Sequence, residues 1–259
     1  DDGPANLWRR LEQSPRRLLA LDYDGTLAPF RVERSAAVPL SGVAEALGTL
    51  RDGRRTSVVV ISGREAQEVA GLLGVPGIPI WGNHGYEVLD ARGVLHRTPL
   101  SELQQAGLAA AEAGLDPALD PERLERKQCG VALHVRGLSP EAAAELGRPV
   151  AQAWARLAAD HDLTCRAFNG GVELRAADLD KGTALERVMG DHPGRLTVYI
   201  GDDDTDEDAF AVLARRGGVG LRVETAGEQY VSTAASGTLA DCAAVLHLLR
   251  RWVSEEQGA

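Results

Sequence analysis

The segment Asp22-Tyr23-Asp24-Gly25-Thr26-Leu27 places two carboxylates two residues apart, directly after the apolar run Leu18-Leu19-Ala20-Leu21. Side chains leaving a strand have period two, so both acids are expected to point roughly the same way. One can attack phosphorus while the other protonates the leaving group and then activates water. Gly25 lets the backbone turn tightly behind them. Taken alone, the string also reads as a turn with aspartate caps.

Three further segments carry groups suited to the same chemistry. Ser62-Gly63-Arg64 follows the run Val58-Val59-Val60-Ile61. A hydroxyl and N–H groups at the start of a helix bind anions, although Ser-Gly there also serves as a plain N-cap. Asp180-Lys181-Gly182 opens a helical pattern with a lysine able to neutralise charge in a transition state. The last segment, Gly201 to Phe210, follows Leu196 to Ile200 and holds Asp202, Asp203, Asp204, Asp206, Glu207 and Asp208. So many acids at the end of a buried strand repel one another unless a hard cation is held there. An EF-hand loop is excluded, because its sixth position is Glu207 rather than Gly and its twelfth is Leu213 rather than Glu. Thr205 with Asp208 reads as a capping box, and acids suit a helix N-terminus. Asp202 is therefore the expected metal ligand, with Asp203 and Asp206 supporting, and Asp204 and Glu207 receive no role.

The elements that must position these groups follow from periodicity. Strands are expected at 17–21, 56–61, 78–81 and 196–200, and helices at 43–51, 65–73, 182–189 and 206–215. Apolar strands separated by helices predict a Rossmann-like parallel sheet covered on both faces, with its site at the carboxyl ends of the strands. The middle of the chain reads differently. Hairpin pairs are expected at 124–128 with 131–135 and at 164–168 with 172–175, the latter around Asn169-Gly170-Gly171, with an Ala-rich helix over 140–159 between them. The division predicted is an α/β catalytic core at 1–99 and 178–259, with a smaller inserted α+β cap, or lid, at 100–177. Asp1 to Pro4 and Glu255 to Ala259 are expected to fray.

Bulk properties narrow the partners. The 259-residue chain has a formal net charge of −10, and its basic pairs are scattered, which argues against nucleic acid. Any anion must be met by a few local cations or a metal. Cys129, Cys165 and Cys242 lie far apart without a CxxC, indicating neither zinc nor a disulfide framework and fitting a reducing cytoplasm. No apolar run is long enough to span a membrane. The chain starts at Asp1 without an initiator Met, so a removed N-terminal segment stays open. His96, His161, His192 and His247 share no ligand spacing.

In order and placement, the four segments resemble the signatures of the haloacid-dehalogenase superfamily. The resemblance implies Mg²⁺ held by Asp22, the backbone carbonyl of Asp24 and Asp202. It is closer still to the trehalose-6-phosphate phosphatases and runs from about residue 18 to 215. Leu21 to Leu27, Ser62-Gly63-Arg64, Gly82-Asn83-His84-Gly85 and Gly201 to Phe210 match that family's strings, as do Glu125-x-Lys127, His134-x-Arg136 and Gly171-x-Glu173-x-Arg175. Val135 stands where the family usually has Tyr, and Ala176 where it often has Pro. The implied roles are Asp22, Asp24 and Lys181 in catalysis, with Thr26, Ser62, Gly63, Arg64, Asn83 and His84 around the phosphate or substrate. Glu125, Lys127 and Glu173 are implied to bind the sugar, with His134 and Arg136 nearby. The implied substrate is a small sugar phosphate, turned over by a cytoplasmic monomer, with functional coupling to a trehalose-6-phosphate synthase as a further expectation. The rival readings are a phosphatase for sucrose phosphate or a glycosyl-phosphoglycerate, and a non-catalytic sugar-phosphate sensor.

Overall fold

The structure is a computed structural model that describes residues 4–31, 33–168, 170–224 and 234–258. The chain packs as two compact units, Asp1–Arg97 with Asp180–Ala259, and Thr98–Leu179.

In the first unit, eight strands among the described residues form one sheet. They are β1 (Arg17–Leu21), β2 (Thr56–Ile61), β3 (Ile80–Gly82), β4 (Glu87–Leu89), β5 (Leu95–Arg97), and, after the second unit's strands, β10 (Leu196–Gly201), β11 (Val219–Val223) and β12 (Gly237–Leu239). Their order is β12-β11-β10-β1-β2-β3-β4-β5. All pairs from β12 to β3 are parallel, and β3-β4 and β4-β5 are antiparallel. The antiparallel hairpin at the edge extends the parallel sheet read from sequence; its strands are too short to show a clear period.

Alternation along the central strands divides the core. Leu19, Leu21, Val58, Val60, Val198 and Ile200 join one apolar cluster with helices α1 (Pro4–Gln13), α2 (Val43–Asp52), α3 (Ala66–Leu73) and α8 (Cys242–Gln257). Leu18, Ala20, Val59, Ile61 and Tyr199 join the other with α6 (Lys181–Asp191) and α7 (Glu207–Arg216). With both faces covered, the open ends of the strands are left for chemistry. The expected fraying of the ends needs correction: Pro4 opens α1, and Glu255 to Gln257 lie in α8. Both helices are docked, the first through Leu7, Trp8 and Leu11 and the last through Val245, Leu248, Leu249 and Trp252. The remainder of that expectation, residues 1–3 and 259, lies outside the described residues.

In the second unit, β6 (Leu124–Lys127), β7 (Gly130–His134), β8 (Leu163–Phe168) and β9 (Gly171–Ala176) form an antiparallel sheet in the order β6-β7-β9-β8. Val131, Leu133, Val172 and Leu174 pack with Ala111 of α4 (Glu102–Ala113) and Trp154 of α5 (Pro140–Asp160). Register puts Glu125, Ala132, Glu173 and Arg166 in one cross-strand row, and Lys127, Gly130, Arg175 and Thr164 in the next. These rows lie on the face opposite the apolar residues. Asn169, expected in the second turn, lies outside the described residues. No described helix is long and apolar enough to cross a membrane.

Trp252 is fully buried, and its Nε1 donates to Thr56 Oγ1 at 3.0 Å, tying α8 to β2. Trp252→Ala is expected to destabilise the protein by about 3–5 kcal/mol through the lost contacts and the cavity left behind. Urea unfolding followed by circular dichroism checks this.

Candidate active site

Asp22 leaves the end of β1 with its backbone N–H on Ile200 O (2.8 Å), so its side chain starts at the centre of the sheet's carboxyl edge. Lys181, the first residue of α6, reaches it from the side: Nζ donates to Asp22 Oδ1 at 2.8 Å and to Asp206 Oδ1 at 2.7 Å. All three residues are buried. Asp180 caps α6 by accepting from Thr183 N at 2.7 Å, which fixes the helix start and with it the lysine.

Asp202 completes the cluster. A Cβ on Gly25, whose φ is +71°, would lie 1.8 Å from Asp202 Oδ2, so only glycine admits this carboxylate so close to the turn. Asp22, Asp202 and Asp206 each offer a carboxylate oxygen within 4.8 Å of the others. Asp206 is already heavily engaged. Besides Lys181, its Oδ1 accepts from the Tyr199 hydroxyl, and its Oδ2 accepts from Asp203 N at 2.9 Å. The Asp206 N–H returns to Asp203 O. The carboxylate that folds back onto the backbone at this helix start is thus Asp206, acting on Asp203, rather than Asp208 with Thr205. A one-turn 3₁₀ segment, Asp204–Asp206, precedes α7 and sets that closure two residues earlier.

One ammonium shared among three buried acids sets the electrostatics. Burial pushes Asp22 above the ordinary carboxylate range, with Asp206 and Asp24 adding to the rise against the opposing pull of Lys181. Asp202 is raised well above that range by burial, then by Asp22 and Asp206. Burial alone would lower Lys181, but Asp206 and Asp22 outweigh it and hold the amine charged. The donor set is all oxygen and short of positive charge, which fits a hard divalent cation.

Asp24 lies near enough to help raise the Asp22 carboxyl, while its own carboxylate is held by Arg64. The chain leaves strand geometry at Asp22, so the two-residue period ends there. Arg64 takes Asp24 in a bidentate pair, Nε to Oδ2 at 2.6 Å and Nη2 to Oδ1 at 2.7 Å, while its Nη1 donates to Glu68. The Tyr23 ring lies 5.7 Å from the guanidinium carbon. Ser62 Oγ accepts from Arg64 N at 3.2 Å, so this hydroxyl shapes the loop before α3 rather than capping the helix. Asn83 and His84 both have left-handed backbones, with φ of 48° and 56°. A Cβ on Gly63 would lie 2.9 Å from the His84 ring. Buried Thr26 Oγ1 and Asn83 Oδ1 have no hydrogen-bond partner among the described residues.

In the second unit the predicted residues fall into two groups. His134 Nε2 is 2.9 Å from Glu125 Oε2. Glu173 accepts from Lys127 Nζ on Oε1 (2.8 Å) and from Arg175 Nη1 on Oε2 (2.9 Å). Arg136 sits beside the turn, its carbonyl accepting from Arg123 Nη1. Sequence reasoning overlooked Tyr199, Glu68 and Glu87. Tyr199 left one signal, a hydroxyl-bearing residue in an otherwise apolar buried strand.

A family profile described as trehalose-phosphatase matches residues 20–242. Among curated proteins, the trehalose-phosphate phosphatase of Mycobacterium avium (strain 104) is 36% identical over 211 residues, which is 76% of this chain and 51% of that protein. The trehalose-phosphate phosphatase of Mycobacterium tuberculosis (strain ATCC 25618 / H37Rv) is 33% identical over 233 residues, 81% of this chain and 58% of that protein. The chain thus spans little more than half the length of these relatives. The C-terminal domain of Candida albicans trehalose-6-phosphate phosphatase has the same fold, with a TM-score of 0.81 at 21% identity over 96% of both chains.

The raised carboxyls carry a stability consequence. An acid whose folded pKa exceeds its unfolded value binds more protons when folded, so stability falls as pH rises between the two values. In EDTA, the melting temperature is expected to drop from pH 5 toward pH 8, and saturating Mg²⁺ is expected to flatten that drop. Calorimetry across this range checks both, and equal slopes with and without Mg²⁺ would contradict them.

Proposed function

Because the chain belongs to the trehalose-phosphatase family, we propose that it hydrolyses trehalose 6-phosphate to trehalose and phosphate through an aspartyl-phosphate on Asp22. The observation that carries this reading is the buried Lys181 ammonium bridging Asp22 and Asp206 at the carboxyl ends of parallel strands. An Asp22 carboxylate held at one oxygen by a fixed cation keeps its other oxygen for attack.

The cycle has two steps. Asp22 attacks phosphorus, the bond from phosphorus to the sugar oxygen breaks, and Asp24 protonates that oxygen. Water then attacks the phosphorus of the aspartyl-phosphate, Asp24 takes its proton, and inorganic phosphate leaves with Asp22 restored. Asp24 is paired with Arg64 in the resting arrangement, so both steps require this carboxyl to trade the guanidinium for the reacting oxygen. Lys181 offsets the negative charge gathering between Asp22 and the phosphoryl group, and Ser62, Gly63 and Arg64 supply the loop that receives it.

Asp22, Asp202 and the backbone carbonyl of Asp24 are the groups that would hold Mg²⁺, with Asp203 and Asp206 behind them. Bound there, the cation supplies Lewis acidity and neutralises phosphoryl oxygens. The oxygen-only donors and the glycine cradle at Gly25 support this assignment.

The unit from Thr98 to Leu179 acts in this reading as the cap that recognises the sugar. A disaccharide offers many hydroxyls, which call for charged and polar partners rather than apolar walls. Glu125, Lys127 and Glu173 lie on one polar face of its sheet and supply them, with His134 and Arg136 beside them. A trehalose-6-phosphate synthase is the source of substrate that this activity implies.

Phosphate release from trehalose 6-phosphate, sucrose 6-phosphate, glucose 6-phosphate and an aryl phosphate, in Mg²⁺ and in EDTA, tests the proposal. Mg²⁺-dependent preference for trehalose 6-phosphate is expected; equal rates on all four would discard the sugar assignment. Asp22→Asn should reduce turnover by at least about a thousandfold, as loss of a nucleophile does in other enzymes. Near-normal turnover of folded Asp22→Asn would remove the nucleophile assignment. Glu173→Ala is expected to cut kcat/KM on trehalose 6-phosphate by about a hundredfold while changing the aryl phosphate little, because only the sugar loses its partner.

A further inference from the structure

We infer that Glu87, which the sequence did not single out, is a positioning residue that holds the phosphate-receiving loop from outside its own segment. The inference rests on the proposed phosphatase reading and concerns the same site.

The start of α3 is the place where sequence reasoning put an anion site. In the structure that position is occupied by the protein itself. Glu87, the first residue of β4, is buried, and its Oε1 accepts from Ala66 N at 2.7 Å. Ala66 is the first residue of α3, and the preceding Glu65 makes no side-chain cap. Glu87 therefore performs the capping from 21 residues away, and its carboxylate meets the positive end of the helix. Its Oε2 accepts from Arg97 Nε of β5 at 3.1 Å, so the acid is fixed at both oxygens. With this N–H taken, an incoming phosphate meets the loop ahead of the helix, at Ser62 to Arg64.

That loop is held by the turn that leads into Glu87. Ser62 N donates to Trp81 O at 2.8 Å, His84 N to Ser62 O at 2.9 Å, and Asn83 N to Arg64 O at 2.7 Å. Two consecutive non-glycine residues with left-handed backbones persist only where their surroundings over-determine them. The approach is also close. A Cβ on Gly82 would lie 2.3 Å from Ala66 N, and one on Gly85 would lie 2.9 Å from Ala184 Cβ of α6, the helix that starts with Lys181. The turn thus sits between the Ser62 loop and the lysine helix, and Glu87 pins its exit.

The test uses the full chain in saturating Mg²⁺. Binding of inorganic phosphate is measured by calorimetry, with kcat and KM on an aryl phosphate and the melting temperature alongside. Glu87→Ala is expected to weaken phosphate and raise KM by about fivefold, the size of effect that losing a helix cap has, with kcat changed much less. Glu87→Gln, which keeps an acceptor oxygen, is expected to recover most of that loss. Should Glu87→Ala fail to fold, Glu87→Gln is compared with Arg97→Ala, which frees one Glu87 oxygen and is expected to weaken phosphate about twofold. Folded variants that bind phosphate as the parent does, with only the melting temperature lowered, would overturn the inference. A parent protein that binds phosphate but releases none from any sugar phosphate would instead overturn the activity, and the Glu87 comparison would still be readable.

Discussion

Everything at the carboxyl edge of the sheet depends on one buried ammonium. Lys181 Nζ bonds two of three clustered inward acids, Asp22 and Asp206. Removing one partner of a buried ion pair typically costs about 3–5 kcal/mol, because the charge left behind has lost its water. The lysine is therefore locked by its surroundings, and so is the carboxylate it touches. Asp206 takes a second bond from the Tyr199 hydroxyl on Oδ1 and a third from Asp203 N on Oδ2. Three of its four acceptor positions are filled, so it serves the lysine, the tyrosine and the backbone first.

The sheet makes this arrangement possible by sorting its residues. Leu19 and Leu21 of β1 feed one apolar cluster and Leu18 and Ala20 the other, and Arg17 is buried too, so no side chain of β1 before Asp22 faces solvent. Where β1 ends, the next residue emerges into the space between flanking helices. Asp202 does the same at the end of β10, the neighbour of β1. Two acids are delivered side by side by two parallel strands, and the repulsion between them is what the lysine and, on the proposed reading, a divalent cation offset. Parallel pairing thus creates the electrostatic problem as well as the place for its solution.

Much of this was legible in the sequence. The buried runs at β1, β2 and β10, the lysine that opens α6 and the hairpins around Cys129 and Gly170 have strong local signatures, and each landed within a residue or two. What escaped has a common physical character. The edge hairpin β4-β5 has three residues in each strand, too few for a period to emerge. The Asp24–Arg64 pair depends on where the chain turns after β1, which a two-residue spacing cannot encode. Tyr199 and Glu87 act on partners distant in sequence or across the sheet, where no local pattern points. The capping arrangement falls two residues earlier than its sequence pattern suggests, because several acids in a row each satisfy the rule and only geometry chooses Asp206.

The polar face of the second sheet poses its own question of cost. Glu173 is buried between Lys127 and Arg175, and a carboxylate there is tolerable only because two cations meet it at opposite oxygens. An apolar pair at these positions would fill the same rows without that penalty. The rows also contain Ala132 and Gly130 at their centre, on β7, between the charged side chains of β6 and β9. The Lys127–Glu173 pair joins β6 to β9 across these small residues, so the charged groups are already oriented. On the proposed reading, a neutral polyol gains most from such a surface. Its hydroxyls meet charged groups already held by their partners, so little flexible side chain has to be ordered on arrival. On the proposed reading, the stability given up in burying these charges is recovered as selectivity for a sugar, since an analogue lacking a hydroxyl would leave a buried charged group short of a partner.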